Sequence, residues 1–270
     1  MSRYAERLND DVGAREEDKD KGPIPQTFYG RVLKVAFDSL LGVQRALWGL
    51  LKRDYYSGAR LQARDDLRKI GSRNGGWIVP VRRLDNESVC YCVGVGEDIT
   101  FDLGLIRTFG CEVFAYDPTP RAARHVKAHA HGNRKFKFST CGLWDTDDVL
   151  QFYSPANPSH VSHSILNLQN STTYFEARCQ RLSSLMRENE HERLNLLKLD
   201  IEGAEYRVVE SIIEDGVDID IICVEYDEAH HPLDGGFKRR IRDSIRRLLR
   251  FEYSMVAFDG KCNYTFVKHS

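Results

Sequence analysis

Residues 89–98, VCYCVGVGED, constrain the fold more than any other part of the chain. The apolar residues predict a short buried strand, and the glycines predict a tight turn into the helical pattern ITFDLGLIRTF. Such a turn brings backbone N–H groups and a helix N-terminus together at the carboxyl edge of a sheet, where a polar cofactor can bind. Glycine turns that bind nothing are also common, so the rest of the chain must decide what this one holds.

Strand and helix patterns alternate from residue 77 onward. This alternation is typical of an α/β fold, with a mostly parallel sheet covered by helices on both faces. The last two strands flank the turn Asp259-Gly260 and predict a terminal antiparallel hairpin. After a lead-in strand at 77–81, the predicted strands are 89–93, 111–116, 135–139, 194–199, 219–224, 253–258 and 264–268, and the predicted helices are 99–109, 121–131, 204–214 and 238–250.

Composition divides the chain into three segments. Residues 1–22 are charged and poor in large apolar residues, which predicts a mobile tail. Residues 23–76 carry two helical patterns, the second at 59–70, followed by a glycine-rich linker at 71–76; they predict a helical N-terminal extension. Residues 77–270 form the α/β domain, in which the polar residues 145–190 are predicted to be an inserted loop or hairpin over the active edge.

Charge, hydropathy and cysteine usage exclude several classes of protein. The net charge of −1 gives no general attraction to nucleic acid or to anionic membranes. No apolar run approaches the roughly 18 to 20 residues that span a bilayer, and no apolar signal core is present, so we expect a cytoplasmic protein. The seven cysteines are scattered without a CxxC pair, which predicts reduced thiols and no metal site.

The glycine turn fits some cofactors better than others. A dinucleotide fold needs a third glycine for close packing of helix and strand, and Ile99 stands at that position. Neither a P-loop nor a G-x-S-x-G nucleophile elbow occurs. The turn of S-adenosylmethionine-dependent methyltransferases needs only room for the amino-acid end of the cofactor. Asp117 follows Gly96 by 21 residues and ends the second strand, where a carboxylate can accept hydrogen bonds from ribose hydroxyls.

Residues 196–206, LLKLDIEGAEY, resemble the FkbM-type branch of class I S-adenosylmethionine-dependent methyltransferases. VFAYDPTP, CGLW, ICVEYD and DGKCNYTF are also similar to the family and occur in its order, so the resemblance covers residues 77–268. It implies a Rossmann-like, seven-stranded class I fold, S-adenosyl-L-methionine as cofactor, and O-methylation of a sugar or other small hydroxylated compound. The residues that match the family's fourth-strand motif are Lys198, Asp200, Glu202, Gly203 and Glu205.

The resemblance also implies a set of cofactor-binding residues at the strand ends. The family has an acid two residues before the first turn glycine, where this chain has Cys92. Glu97 or Asp98 can replace that acid near the amino group of the cofactor. A non-catalytic binding module on a degenerate methyltransferase fold is the alternative. The implied cofactor-binding residues are Cys92, Gly94, Val95, Gly96, Glu97, Asp98, Asp117, Pro118, Cys141, Gly142 and Asp200.

Methyl transfer from a sulfonium needs a positioned nucleophile and, for a hydroxyl, a base that removes its proton. Carboxylates at strand ends and histidines in nearby loops are the candidates for these roles. Glu202 can instead cap the following helix, and the histidines can be ordinary loop residues. The expected partner is a small-molecule hydroxylated acceptor. The candidate catalytic residues are Asp200, Glu202, Glu225, His163 and His230.

A nucleic-acid methyltransferase is a further alternative. The predicted helix at 238–250 carries seven basic residues beside an apolar stripe, which fits either a solvated outer face or a phosphate-binding surface. The N/D-P-P-[FYW] motif that amino-methylating enzymes use after the fourth strand is absent. We therefore expect no nucleic-acid partner.

Overall fold

The structure is a computed structural model that describes residues 53–130, 132–154, 165, 171–230 and 232–269. The predicted tail at 1–22 and the first predicted helical stretch of the N-terminal extension lie outside the described residues. His163, a predicted catalytic residue, also lies outside them.

Twelve strands occur in the described residues, and seven of them match the seven predicted after the lead-in strand to within one residue at each end. They are β1 (Leu67–Ile70), β2 (Trp77–Pro80), β3 (Val89–Val93), β4 (Glu112–Tyr116), β5 (Phe136–Ser139), β6 (Gly142–Leu143), β7 (Asp148–Tyr153), β8 (Tyr174–Gln180), β9 (Arg193–Leu199), β10 (Asp218–Glu225), β11 (Tyr253–Phe258) and β12 (Asn263–Lys268).

Five α-helices occur in the same part of the chain, and local sequence explains several of their ends. Thr119 caps the second helix by accepting a hydrogen bond from the Ala122 N–H, and Pro120 occupies its first turn, where no N–H is needed. Gly110 ends the first helix in a left-handed conformation, with φ of 71°. The helices are α1 (Thr100–Phe109), α2 (Pro120–His129), α3 (Leu182–Glu188), α4 (Glu205–Glu214) and α5 (Phe237–Arg250).

The central sheet has seven strands in the order β11-β12-β10-β9-β3-β4-β5. The neighbours from β10 to β5 are parallel, and β12 runs antiparallel between β10 and β11. The mostly parallel sheet and the terminal antiparallel hairpin are therefore confirmed. Because parallel strands end at the same edge, Gly94, Asp117 and Asp200 follow their strands into one region of the molecule.

Two apolar layers cover the sheet, because alternate side chains of each strand point to opposite faces. On β3, Tyr91 and Val93 face the layer that α3, α4 and α5 complete, whereas Cys90 and Cys92 face the layer with α1. Helix α2 packs beside α1 on Ala115 of β4. Helices on both faces are thus confirmed. Every helix in the described residues is too short or too polar to cross a lipid bilayer.

The prediction of a helix over residues 59–70 is wrong. Strand β1 pairs with β2 as an antiparallel hairpin, with Ile70 opposite Trp77, and the glycine-rich residues 71–76 are its turn rather than a linker. Pairing with β2 overrides the helical spacing of the apolar residues. The Ile70 side chain also packs against α1 at Gly104, where a Cβ atom would approach its methyl group to 2.7 Å.

The inserted segment contains a small three-stranded sheet in the order β6-β8-β7, followed by α3. Strands β7 and β8 are antiparallel, and Phe152 stacks on its partner Phe175 with ring centroids 5.4 Å apart. Phe152 and Cys179 pack on Ala204, next to α4. The insertion therefore lies against the carboxyl edge of the central sheet, where a hairpin was predicted.

A buried carboxylate ties the chain before β1 to the sheet. Asp54 is fully buried and accepts hydrogen bonds from the Tyr264 hydroxyl at 2.8 Å and from the Ser57 backbone N–H at 2.6 Å. Burial, together with Asp54, holds the pKa of Tyr264 well above its usual value, so the hydroxyl remains a donor.

We expect Asp54→Ala to lower the free energy of unfolding by about 2–4 kcal/mol, because the buried Tyr264 hydroxyl loses its acceptor. Tyr264→Phe serves as the matched partner, and the double variant should cost less than the sum of the two single changes. Urea denaturation measures all three. Strictly additive losses would mean that the hydrogen bond does not stabilise the fold.

Candidate active site at the carboxyl edge of the sheet

The glycine turn after β3 has two positions that depend on the absence of a side chain. Gly94 has a φ of 82°, and a Cβ atom there would lie 1.7 Å from the backbone oxygen of Asp200. Gly96 has a φ of 56°, but a Cβ atom there would meet nothing within 4 Å. Gly94 thus permits close approach of β3 and β9, whereas Gly96 supplies only the left-handed backbone and an open surface.

Asp117, the first residue after β4, holds the glycine turn in place. Its Oδ2 atom accepts hydrogen bonds from the N–H groups of Val95 and Gly96, at 2.9 and 2.8 Å. Its Oδ1 atom accepts from the N–H and hydroxyl of Thr119, at 2.8 and 2.6 Å. One carboxylate therefore orders both the turn after β3 and the start of α2.

Lys198 joins the ends of β3 and β9 from inside the protein. The ammonium group is buried, donates to the backbone oxygen of Gly94, and lies 3.0 Å from Asp200 Oδ2. Burial alone would lower the pKa of Lys198, but the carboxylates of Asp200 and Asp102 outweigh it and raise that pKa, so the group stays charged. Sequence reasoning placed Lys198 in the family motif but assigned it no role.

The predicted contact of Cys92 with a cofactor is wrong. The side chain is buried on the α1 face of β3, level with Lys198 on the neighbouring strand, and it does not line the cavity described below. Asp102 of α1 lies beside it, and burial, together with Asp102, holds the pKa of the Cys92 thiol well above its usual value. Helix α1 thus brings a carboxyl group next to the strand position where the family has an acid.

Asp102 is a buried carboxyl group close to Lys198 that sequence reasoning missed. Burial raises the pKa of its carboxyl group, and the nearby Lys198 opposes that rise. Its Oδ1 atom has no hydrogen-bond partner among the described residues. The signal available in the sequence was an acid in a helix whose neighbouring residues Phe101 and Leu105 are apolar and buried.

Two buried carboxyl groups shape the turn after β9. Glu205 Oε1 accepts hydrogen bonds from the N–H groups of Ile201 and Gly203, both at 3.1 Å, and Asp227 Oδ2 accepts from the N–H of Glu202 at 3.0 Å. Burial raises the pKa of Glu205 to about 8. Glu202 adopts a φ of 54° in this turn. The turn therefore directs Glu202 to the cavity wall.

The ends of β3, β4 and β9 surround a space of about 390 Å³, the first cavity. Its volume lies within the range of roughly 300–1,000 Å³ typical of small-molecule sites. Phe152 of the inserted sheet and Ile165 complete its wall. The predicted site residues that line it are Gly94, Val95, Gly96, Glu97, Asp98, Asp117, Pro118, Gly142, Asp200 and Glu202.

Cys141 was predicted to bind the cofactor, but it does not line the first cavity. Its thiol lies 3.3 Å from the side-chain oxygen of Gln180 and belongs to the apolar layer with α3 and α4. Burial raises the pKa of this thiol to about 11. The next two residues, Gly142 and Leu143, line the cavity instead.

The first cavity is strongly acidic. Among its described lining residues, five carry carboxylates and Lys198 is the one cation, already paired with Asp200. Such a wall favours a ligand that carries positive charge and opposes a pyrophosphate group. The geometry thus fits a sulfonium nucleotide better than a dinucleotide.

A family model described as the methyltransferase FkbM domain matches residues 73–255, which is more than half of the chain. The chain belongs to this FkbM methyltransferase family. The human "Probable methyltransferase-like protein 24" is 27% identical over 168 residues, which is 62% of this chain. The match spans 38% of the length of that relative.

The solved structures that resemble the chain are more distant in sequence. The fibrillarin pre-rRNA processing protein of Methanococcus jannaschii has 8% sequence identity and a TM-score of 0.42, covering 76% of this chain and 83% of its own. Fibrillarin of Aeropyrum pernix, solved with natively bound S-adenosyl-L-methionine, has 9% identity and a TM-score of 0.38, covering 76% and 84%.

In this FkbM domain, Glu97 and Asp98 line the first cavity but are also engaged by the protein. Glu97 pairs with Arg121 at 2.8 Å. Asp98 accepts hydrogen bonds from the Ser72 hydroxyl at 2.6 Å and from the Thr100 N–H at 2.8 Å. Burial raises the pKa of Asp98, but these hydrogen bonds outweigh it and the net shift is downward. Asp98 thus fixes the β1–β2 turn against α1.

Two predicted catalytic residues of the FkbM domain lie elsewhere. Glu225 and His230 line a second cavity of about 260 Å³, together with Cys262. Burial is the main reason that the pKa of Glu225 rises to about 7, and the negative charge of the nearby Asp200 adds to this rise. The structure therefore separates the predicted catalytic set into Asp200 and Glu202 at the first cavity, and Glu225 and His230 at the second.

Helix α5 buries the apolar stripe Ile241, Ile245 and Leu248 against the sheet. Several of its basic residues pair with acids: Arg240 with Glu228 and Asp234, Arg242 with Asp243, and Arg247 with Glu210. These pairs reduce the positive charge that the helix offers to a phosphate backbone.

The two turn glycines of the FkbM domain make a matched pair of tests. We expect Gly96→Ala to lower the free energy of unfolding by about 1–2 kcal/mol, the cost of a left-handed alanine. Gly94→Ala should cost about 3 kcal/mol or more, because β9 must also move away. Denaturant titration measures both. Equal losses would contradict the close contact with Asp200.

Lys198→Met should lower the free energy of unfolding by about 3–5 kcal/mol, because it leaves the buried Asp102 and the half-buried Asp200 without their cation. Asp102→Asn in the same chain should recover part of that loss. Lys137→Met is the matched control, since Lys137 pairs with Glu112 at a similar 2.9 Å but both side chains are exposed. It should cost less than about 1 kcal/mol. Similar losses for the two lysines would count against the buried role of Lys198.

Proposed function

We propose that the chain uses S-adenosyl-L-methionine to methylate a hydroxyl group of a sugar or another small hydroxylated compound. The observation that carries this proposal is the acidic first cavity, built on a glycine turn at the carboxyl edge of a class I methyltransferase sheet. Membership of the FkbM family and the similarity to a probable methyltransferase-like protein support methyl transfer as the reaction class.

The residues present fit this cofactor. Gly96 leaves open space beside the turn, and Asp117 lies at the end of β4, where ribose hydroxyls bind in nucleotide folds. The carboxylates of the wall suit the sulfonium and ammonium charges. When bound, the cofactor would supply an electrophilic methyl group, and Phe152 of the inserted sheet would form part of the wall around it.

Asp200 and Glu202 are the residues we propose to bind the acceptor. Lys198 holds the Asp200 carboxylate at the cavity wall, and the turn after β9 places Glu202 beside it. Two carboxylates in this position can orient a hydroxyl group, and either can accept its proton. Holding the nucleophile in the correct orientation, here by paired acceptors, accounts for a large part of the catalysis of a displacement reaction.

The alternative of a non-catalytic module rests on Cys92, where the family has an acid. Asp102 lies next to the same strand position, but it is buried and does not line the first cavity, so it does not replace that acid at the cofactor. A nucleic-acid acceptor receives little support from α5, where Arg240, Arg242 and Arg247 pair with acids. We therefore retain the small hydroxylated acceptor as the proposal.

Calorimetry with the full chain should detect binding of S-adenosyl-L-methionine and of S-adenosylhomocysteine. Asp117→Ala should weaken both at least 10-fold, because the turn loses its two charge-assisted hydrogen bonds. Asp85→Ala is the matched control, since Asp85 also caps a loop, through Glu87 and Ser88, but before β3 at the opposite edge. The Asp85→Ala variant should bind both nucleotides as tightly as the parent protein.

The same proteins, with methyl-labelled cofactor and a panel of monosaccharides, test the acceptor class. Asp200→Asn should reduce transfer about 100-fold or more while leaving cofactor binding within a few-fold of the parent. No binding of either nucleotide at millimolar concentration would refute the cofactor proposal. Transfer to RNA but to no small hydroxylated compound would refute the acceptor proposal.

A further inference from the structure

We infer that Glu225, His230 and Cys262 form a zinc-binding site that opens onto the second cavity. His230 Nε2 lies 3.2 Å from Cys262 Sγ, and Cys262 Sγ lies 3.3 Å from Glu225 Oε1. One potential ligand atom from each residue lies within 4.8 Å of the other two. This site is separate from the proposed methyl transfer, because zinc binding requires neither the cofactor nor an acceptor.

The spacing matches what zinc requires. Tetrahedral bonds of about 2.3 Å to sulfur and about 2.0–2.2 Å to nitrogen or oxygen put neighbouring ligand atoms about 3.5 Å apart. The two measured contacts are shorter than this by a few tenths of an ångström. Side-chain rotations would have to widen these two contacts to about 3.5 Å and bring the ligand atoms of Glu225 and His230, which lie within 4.8 Å, to the same spacing.

The fold holds all three residues on ordered backbone. Glu225 ends β10 and pairs with Asn263 of β12, so Cys262 lies next to it. The Cys262 oxygen accepts from the Tyr226 N–H at 3.0 Å, and the Asp259 carboxylate accepts from the Cys262 N–H at 3.1 Å. A site whose ligands are fixed in this way loses little conformational entropy when it binds an ion.

His230 reaches the cluster from a short 3₁₀ turn after β10. The turn spans Asp227–Ala229, and the His230 N–H closes it by donating to the Asp227 oxygen at 2.8 Å. The imidazole is exposed and the Cys262 side chain is buried, so an ion would bind at the wall of the cavity rather than in the core.

The set of donors selects the class of ion. A thiolate, an imidazole and a carboxylate match zinc, whereas magnesium and calcium take oxygen ligands. One thiolate and one carboxylate give two negative charges for a divalent ion, and the thiol proton passes to solvent when the ion binds. Zinc is therefore the ion that this set of donor atoms fits best.

Three protein ligands leave the fourth position to a ligand in the cavity. Structural zinc sites have four protein ligands, whereas an open position is typical of sites that bind a water molecule or a substrate. Lys69, Arg73 and Lys261 also line the second cavity. These cations favour an anionic fourth ligand, such as hydroxide or a carboxylate.

Zinc titration of the chelator-treated full chain, in competition with a chromogenic chelator, tests the site. We expect one ion per chain with micromolar or tighter affinity, weakened at least 10-fold by Cys262→Ser, His230→Ala or Glu225→Gln. His269→Ala and Cys111→Ala are the matched controls, because Cys111 precedes β4 at the opposite edge and His269 bonds to Ser254. Both controls should bind zinc like the parent, and millimolar magnesium should not compete.

Cobalt substitution reports on the ligands directly. The parent should show a sulfur-to-cobalt charge-transfer band that Cys262→Ser removes, while circular dichroism shows that the variant is folded. His230 is exposed, so His230→Ala should also keep the fold. Absence of stoichiometric binding, or unchanged affinity in the Cys262 and His230 variants, would overturn the inference.

Discussion

The buried ammonium group of Lys198 is the interaction on which the active edge depends. It binds the backbone oxygen of Gly94, pairs with Asp200, and balances the buried Asp102 of α1. A buried charge is tolerated only when it is closely paired, so these elements cannot move independently. The position of the glycine turn is therefore set by a side chain from a strand that follows it by about a hundred residues along the chain.

The loops at this edge share one structural feature, which is a carboxyl group that accepts hydrogen bonds from two or more backbone N–H groups. Asp117 orders the turn after β3, Glu205 orders the turn after β9, and Asp259 orders the turn between β11 and β12. Each loop carries residues that line a cavity. Rigid loops present their side chains in fixed positions before any ligand arrives, which reduces the entropic cost of binding.

The central strands could be predicted because they are apolar on both faces and end in glycine or acid, a pattern that local sequence displays fully. The β1–β2 hairpin could not, since residues 59–70 have helical spacing, and pairing with β2 overrides that spacing at residues 67–70. The prediction for Cys92 followed the family position, whereas the structure buries this side chain on the α1 face of β3, beside Asp102. The contact of Glu225 with Cys262 arises from sheet register, which sequence spacing does not reveal.

The β1–β2 turn is a shared wall of the two cavities, since Gly75 lines the first and Gly76 the second. Composition suggests a domain that begins at Trp77, the first residue of β2. A protein shortened to that boundary would lose β1, leaving β2 as an unpaired strand edge that invites association with other chains. It would also lose Ser72, one of the partners of Asp98. The segment before Trp77 thus covers one edge of β2 and contributes to the walls of both cavities.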